Sequence, residues 1–186
     1  MVYIRRMIWF VSKRLLILCI AIGILVCGFY MCLNTSDIYV VLTDGMEQRA
    51  RTILTRENES SLNFYFDAGF LSTDPALEGA FDGTSVYDDY TITDFDYQLT
   101  IEKIWAWPWD NNATCTVVER IPEITGTVIA SRRNRVSSTI PQWQGGRYDL
   151  TLTRVNGTWK IAGMQQVTVL MEAVETSMDE TVTNTQ

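Results

Sequence analysis

The least ordinary stretch of this 186-residue chain is Trp105-Ala-Trp-Pro-Trp109. Tryptophans turned to solvent stack on sugar rings or anchor interfaces, because each buries a large area at small entropic cost. Trp105 and Trp107 also continue an alternating apolar face, and that reading assigns them to the core. Trp109 follows a proline and is the better candidate for an exposed, partner-binding anchor. The second constellation is Arg132, Arg133 and Arg135, the only concentrated positive charge beyond the N-terminal segment. Three arginines on one loop suit an acidic partner, an anionic polymer or a second copy of this chain. A solvated loop is the plain alternative for the same residues.

Absences narrow the chemistry further. The chain has no histidine, which removes the commonest general base, the usual activator of Ser and Cys, and the commonest zinc ligand. Cys19, Cys27 and Cys32 fall in an apolar N-terminal run and only Cys115 lies beyond it. Neither an internal disulfide nor a zinc site is expected. No phosphate-binding loop, nucleophile elbow or dinucleotide fingerprint is present. No catalytic residue and no cofactor is therefore assigned, and the expectation is a protein that is not an enzyme.

Residues 15–33 contain no charged side chain. A helix over these 19 positions is roughly 28 Å long, which matches a hydrocarbon core about 30 Å thick. Arg5, Arg6, Lys13 and Arg14 precede the run, and the first charge after it is Asp37. The excess of basic residues marks the cytoplasmic side. Residues 1–14 are expected in the cytoplasm, 15–33 across the cytoplasmic membrane, and the rest outside. A cleaved signal peptide is the alternative, but the run is long for one and no small-x-small cleavage site follows. Val26 before Cys27 argues against a lipoprotein signal.

All 22 acidic residues lie after position 33, against 15 − 4 = 11 basic ones, so the exported part carries 11 − 22 = −11. Such a domain repels phosphates, and nucleic acid is not an expected partner. Asn34, Asn58, Asn112 and Asn156 each open an N-x-S/T triplet, which matters only in a glycosylating host.

Residues 34–43 are expected as a juxtamembrane connector. Asp44-Gly-Met-Glu47 has the form of a capping box, and Met46, Ala50, Ile53 and Leu54 then share a helix face. A second helix is expected from Asn58 or Ser60, with Leu62, Phe66 and Phe70 at a spacing of four and Gly69 near its end. Ser72-Thr-Asp-Pro75 is a turn. Residues 75–89 are left open between a short helical turn and a loop.

The period then changes from 3.6 to 2. From Thr91, the positions Phe95, Tyr97, Leu99, Ile101, Trp105 and Trp107 share one face of a long strand, opposite Asp94, Asp96, Gln98, Thr100 and Glu102. A second strand covers about 113–121, and residues 122–141 form a long loop carrying the three arginines. Gln144-Gly-Gly146 marks a bulge or turn. Tyr148, Leu150 and Leu152 alternate with polar residues up to Asn156-Gly157, a two-residue hairpin turn. Trp159 and Ile161 continue on the returning strand. The extracytoplasmic domain is thus residues 44–171 and the acidic tail 172–186 is expected to be disordered. Helices grouped before strands make an α+β fold, with two or three helices packed on an antiparallel sheet of about four strands.

The helical run 46–54, the long strand 91–107 and the hairpin Tyr148-Asp-Leu-Thr-Leu-Thr-Arg-Val-Asn-Gly-Thr-Trp-Lys-Ile161 together resemble the nuclear-transport-factor-2-like superfamily, over about residues 44–170. That resemblance implies helices packed into the concave face of a curved sheet. With the anchor added, the layout is similar to bitopic scaffold proteins of bacterial secretion and sporulation machines. It implies an assembly role with a protein partner or self-association. Enzymes of the superfamily use an Asp base with Tyr, Asp or Asn partners in the cone between helices and sheet. Tyr65, Asp67 and Tyr97 are the residues that could build such a pocket here, with Asp94, Asp96 and Tyr148 as further parts. A cell-wall glycan binder using Trp107 or Trp109 is a third option.

Overall fold

The computed structural model describes residues 2–57 and 59–170. The side chains of Val2, Ile4, Arg5, Arg6, Ile8 and Glu59 are not described. The expected tail 172–186 and the triplet at Asn58 lie outside the described residues.

One helix, α1 (Val2–Thr55), runs through the apolar segment and into the domain without a break. At 54 residues it is about 81 Å long. None of its most apolar 18-residue stretch is buried by the rest of the chain. A core helix of that composition would be covered, whereas a membrane-spanning one is left for lipid. The expected connector at 34–43 is helical. The reason is that the apolar stripe begins at Ile38, not Met46: Ile38, Val41, Leu42, Met46, Ala50 and Ile53 are all buried. Asp44 accordingly caps nothing. Glu47 pairs with Arg51 one turn on at 2.8 Å instead of reaching back. Gly45 is needed for close approach, since a Cβ there would sit 2.8 Å from Cβ of Tyr65. The helix ends where Arg56 turns left-handed, at φ 60°.

The second helix expected from 58 to 69 is broken in two. Helix α2 (Leu62–Tyr65) stops because Phe66 is extended and bridges Ile161 of the sheet, with Asp67 N–H donating to the Ile161 carbonyl at 2.8 Å. Helix α3 (Ala68–Leu71) then restarts. The spacing of four survives the break, because Phe66 and Phe70 still stack with centroids 5.4 Å apart. Helix α4 (Pro75–Asp82) occupies the open stretch. Asp74 caps it, Pro75 opens it, and Gly83 closes it at φ 82°, the usual Pro-first, Gly-last arrangement.

The strands form two antiparallel sheets. Strands β1 (Tyr90–Phe95) and β4 (Ile124–Val128) pair as one; β2 (Gln98–Ala106), β3 (Asn112–Arg120), β5 (Gly145–Val155) and β6 (Thr158–Leu170) form the other in that order. The architecture is α+β, as expected from the sequence. The single strand expected over 91–107 is two strands in different sheets, divided at Asp96 and Tyr97. The loop expected over 122–141 contains β4. The Asn156-Gly157 turn has both residues at positive φ, 52° and 86°, as a type I′ hairpin requires.

A β-bulge between Ile101 and Lys103 puts Glu102 out of register. One extra residue inverts every later side chain. Ile104 and Ala106 therefore point inward, and Trp105 and Trp107, expected in the core, point outward. The core lies between α1 and the inner face of the larger sheet, where Val117, Leu150, Leu152, Trp159 and Ile161 meet Ile38, Leu42 and Met46. A second cluster joins the far part of α1, at Ala50 and Leu54, to Tyr90 and Ile92 of β1 and to Ile121.

Candidate functional site

Asn34 marks the near end of the domain and Thr55 the far end, 55 − 34 = 21 positions apart on α1, or about 32 Å. Each end carries a group of side chains that breaks an ordinary rule of burial.

At the far end, charges are buried. Arg49 lies on the apolar face of α1 between Met46 and Ile53. Its Nε donates to Asp74 at 2.6 Å and its Nη2 to the other carboxylate oxygen at 3.0 Å. Burial alone would lower the Arg49 guanidinium, but the hydrogen bond and charge of Asp74 outweigh it and hold it above its ordinary value. Glu119 is a core position of β3, fully buried. It accepts from Tyr97 Oη and from Trp143 Nε1, each at 3.2 Å. Burial pushes its carboxyl up, and Arg49, Trp143 and Tyr97 pull it back only in part. Burial also drives the Tyr97 phenol upward, with Glu119 adding to it. Tyr87 and Tyr148 are each raised to about 12, chiefly by burial.

Beside this network opens a cleft of about 820 Å³, within the range of small-molecule sites. Arg49, Asp74, Tyr87, Trp143, Tyr148 and Gln166 are on its wall. Tyr148 accepts from Gln166 Nε2 at 3.2 Å and donates to the Gln144 carbonyl at 3.4 Å. The charged side chains on its wall are Arg49 and Asp74, which neutralise each other, and the other polar ones are phenols, hydroxyls, amides and an indole. That set suits an uncharged polar or aromatic molecule better than an ion.

Tyr65, Asp67 and Tyr97, the residues named for a pocket, do not line this cleft. Tyr65 packs against Gly45. Asp67 caps α3 by accepting from Gly69 N–H at 2.9 Å. Tyr97 reaches the network only through Glu119. Asp94 and Asp96 are exposed, as their alternation requires. Of the residues weighed, only Tyr148 reaches the cleft. The principal groups, Arg49, Asp74 and Glu119, went unmarked. Two of them carry a signal in the sequence: Arg49 interrupts the spacing Met46, Ala50, Ile53, and Glu119 has the inward parity of Ala113, Cys115 and Val117.

The arginine loop is also at the far end. Arg132 pairs with Asp89 at 3.2 Å, while Asp88 next to it pairs with Arg56 at the end of α1. Arg133 and Arg135 are exposed. Trp109 and the three arginines are thus not brought together.

At the near end, large apolar rings are exposed. Trp105, Trp107 and Trp109 are 54%, 41% and 70% accessible. Trp105 and Trp107 stack at 6.3 Å, and Trp107 meets Trp109 edge to face at 86°. Trp107 and Trp109 therefore present their faces at right angles to each other, not as one flat platform. The tip is tied to α1, since Asn34 Nδ2 donates to the Pro108 carbonyl at 3.4 Å and its Oδ1 accepts from Arg154 Nη2 at 2.6 Å. Arg154 in turn lies over the Trp159 ring, 4.5 Å from its centroid. Asn34, buried in these contacts, is not presented as a glycosylation site.

Cys115 is buried and its thiol is pushed up to about 12 by that burial, so it is no activated nucleophile. Among the described residues, no three His, Cys, Asp or Glu side chains are grouped to hold a metal ion. No family model matches the sequence, and neither a curated protein nor a solved structure matches it.

Proposed function

We propose that this chain is a non-catalytic assembly module, anchored in a cell membrane by α1 with its domain outside the cytoplasm. The observation that supports this most is the continuity of α1 from the apolar run to the domain core. A helix that enters the core without a break is a stiff mount, which suits a part that must meet its neighbours in one orientation. The basic residues ahead of the run favour the outward orientation. The nuclear-transport-factor-2-like resemblance, with helices against one face of an antiparallel sheet, points the same way. Arg133 and Arg135 at the far end are the contact residues for an acidic protein partner or a second copy, with Arg132 held by Asp89.

The test is mild-detergent purification of the full-length protein from its own membranes, with mass spectrometry of what accompanies it. A stoichiometric protein partner, or a second copy, is expected, and it should be lost from R133E/R135E. A flexible Gly-Ser insert between Leu33 and Asn34, which leaves the domain's contacts intact, should weaken the same association. Undiminished association in both variants would defeat this reading.

The cleft beside Arg49 and Asp74 favours a second reading, a binding site for a small uncharged molecule. A lone protein carrying a bound small molecule in that purification, lost on Tyr148→Ala, would move the assignment there.

A further inference from the structure

We propose that the β2–β3 tip is a second membrane contact, with the indole rings of Trp105, Trp107 and Trp109 in the interfacial layer of the bilayer that α1 crosses. This rests on the reading of α1 as a spanning helix, and it names what the exposed anchor Trp109 meets.

The level of the tip carries the inference. Asn34 is the first residue after the 19-position apolar run, so its side chain stands where hydrocarbon gives way to headgroups. That side chain donates to the carbonyl of Pro108, the residue between Trp107 and Trp109. The tryptophan tip and the end of the span are therefore at one height. The tip is also held there, because α1 has no hinge at this point and Arg154 from the β5–β6 hairpin closes on the same asparagine. The β2–β3 tip is thus pinned against the helix and cannot swing away from the surface.

The exposure of the rings is the second observation. The chain buries Trp159 almost completely, yet the bulge at Glu102 turns Trp105 and Trp107 outward beside Trp109. An indole has an apolar body and a single N–H donor. A layer that is apolar on one side and wet on the other satisfies both parts, which is why such rings gather at membrane interfaces. Phe29 and Tyr30, exposed on α1 about one turn inside Asn34, supply aromatic rings to the same zone. The domain's acidity argues against attraction by charge, so the contact is with the neutral interfacial layer and should tolerate salt. A second copy of the chain, whose own tip stands at the same height, is the competing occupant, and crosslinking between tips tells the two apart.

The experiment uses the full-length W9F protein in phosphatidylcholine nanodiscs, with brominated or ordinary acyl chains. Trp9 is removed because it lies on the other side of the span. Bromolipid is expected to quench part of the remaining emission. That quenching should fall sharply in W9F/W105Y/W107Y/W109Y, whose remaining tryptophans are Trp143 in the domain body and Trp159, buried beneath Arg154. The single change W109Y in the W9F background, at the most exposed ring, should remove a smaller share and serves if the triple change disturbs folding. Equal quenching with and without the tip rings, or none in W9F, would overturn the proposal. So would tip-to-tip crosslinks between copies that account for the protection of the rings. Release of the native protein from membranes by alkaline carbonate would overturn the spanning reading and this one with it. Retention without tip-dependent quenching would overturn this one alone.

Discussion

The two ends of the domain invert the ordinary rule of burial in opposite senses. Far from Asn34, two carboxylates and a guanidinium are buried around a cleft. Beside Asn34, three indoles are exposed around a hairpin tip. Buried charge persists only where partners replace water, and Arg49, Asp74 and Glu119 each have theirs within 3.2 Å. Exposed apolar area of this size marks a surface that meets something other than water. The buried charges of the far end therefore find their partners within the chain, whereas the three indoles of the near end stay open to the surroundings.

The sharpest way to break that contrast is Arg49→Met. It leaves Asp74 and Glu119 buried without their cation, and should cost about 3–5 kcal/mol, read as a large fall in the thermal midpoint of the full-length protein in detergent. R49M/D74N should recover part of the loss, because one orphaned charge goes with it. A loss below about 1 kcal/mol would mean water already reaches the pair through the cleft.

Asn34→Ala tests the near end. It removes the acceptor of Arg154 and the donor to Pro108, at a cost of about 1–2 kcal/mol. The same change should loosen the tip, seen as faster amide exchange over residues 107–112. Unchanged exchange would show that the strand ladder alone holds the tip.

The smallest effect is one of pH. Burial raises the Glu119 carboxyl in the folded state above its value near 4.5. The folded protein therefore keeps a proton that the unfolded chain has lost, and stability falls as pH rises from about 4.5 toward the raised value. Glu119→Gln removes this contribution, so its midpoint should decline less than that of the parent over the same interval. Parallel profiles would mean that Arg49 keeps the carboxylate ionised throughout.

Much of the fold was legible because periodicity and turn chemistry are local. The hairpin from Tyr148 to Ile161 reads directly from its alternation and its Asn-Gly turn. The apolar run needed only its length and its lack of charge. What misled was also local. Asp44 and Glu47 have the spacing of a helix start, yet Ile38, Val41 and Leu42 carry the helix through. A bulge leaves no mark in composition, so the parity of Trp105 and Trp107 failed one residue after Glu102. The break at Phe66 depends on Ile161, 95 positions away, and no window on the sequence contains both. The site was the least legible part. Arg49 and Glu119 were visible as charges at apolar positions, but that Arg49 reaches Asp74, and Glu119 reaches Tyr97 and Trp143, depends on how distant elements pack.

The unbroken α1 gives the chain a rotational phase. An α-helix turns by about 100° for each residue and advances by about 1.5 Å. Adding or removing one residue between the apolar run and Ile38 would hardly change the height of the domain, but would turn it by more than a quarter of a circle about the helix axis. The number of residues there is thus an angular setting, fixing which side of the domain stands above which face of the apolar run.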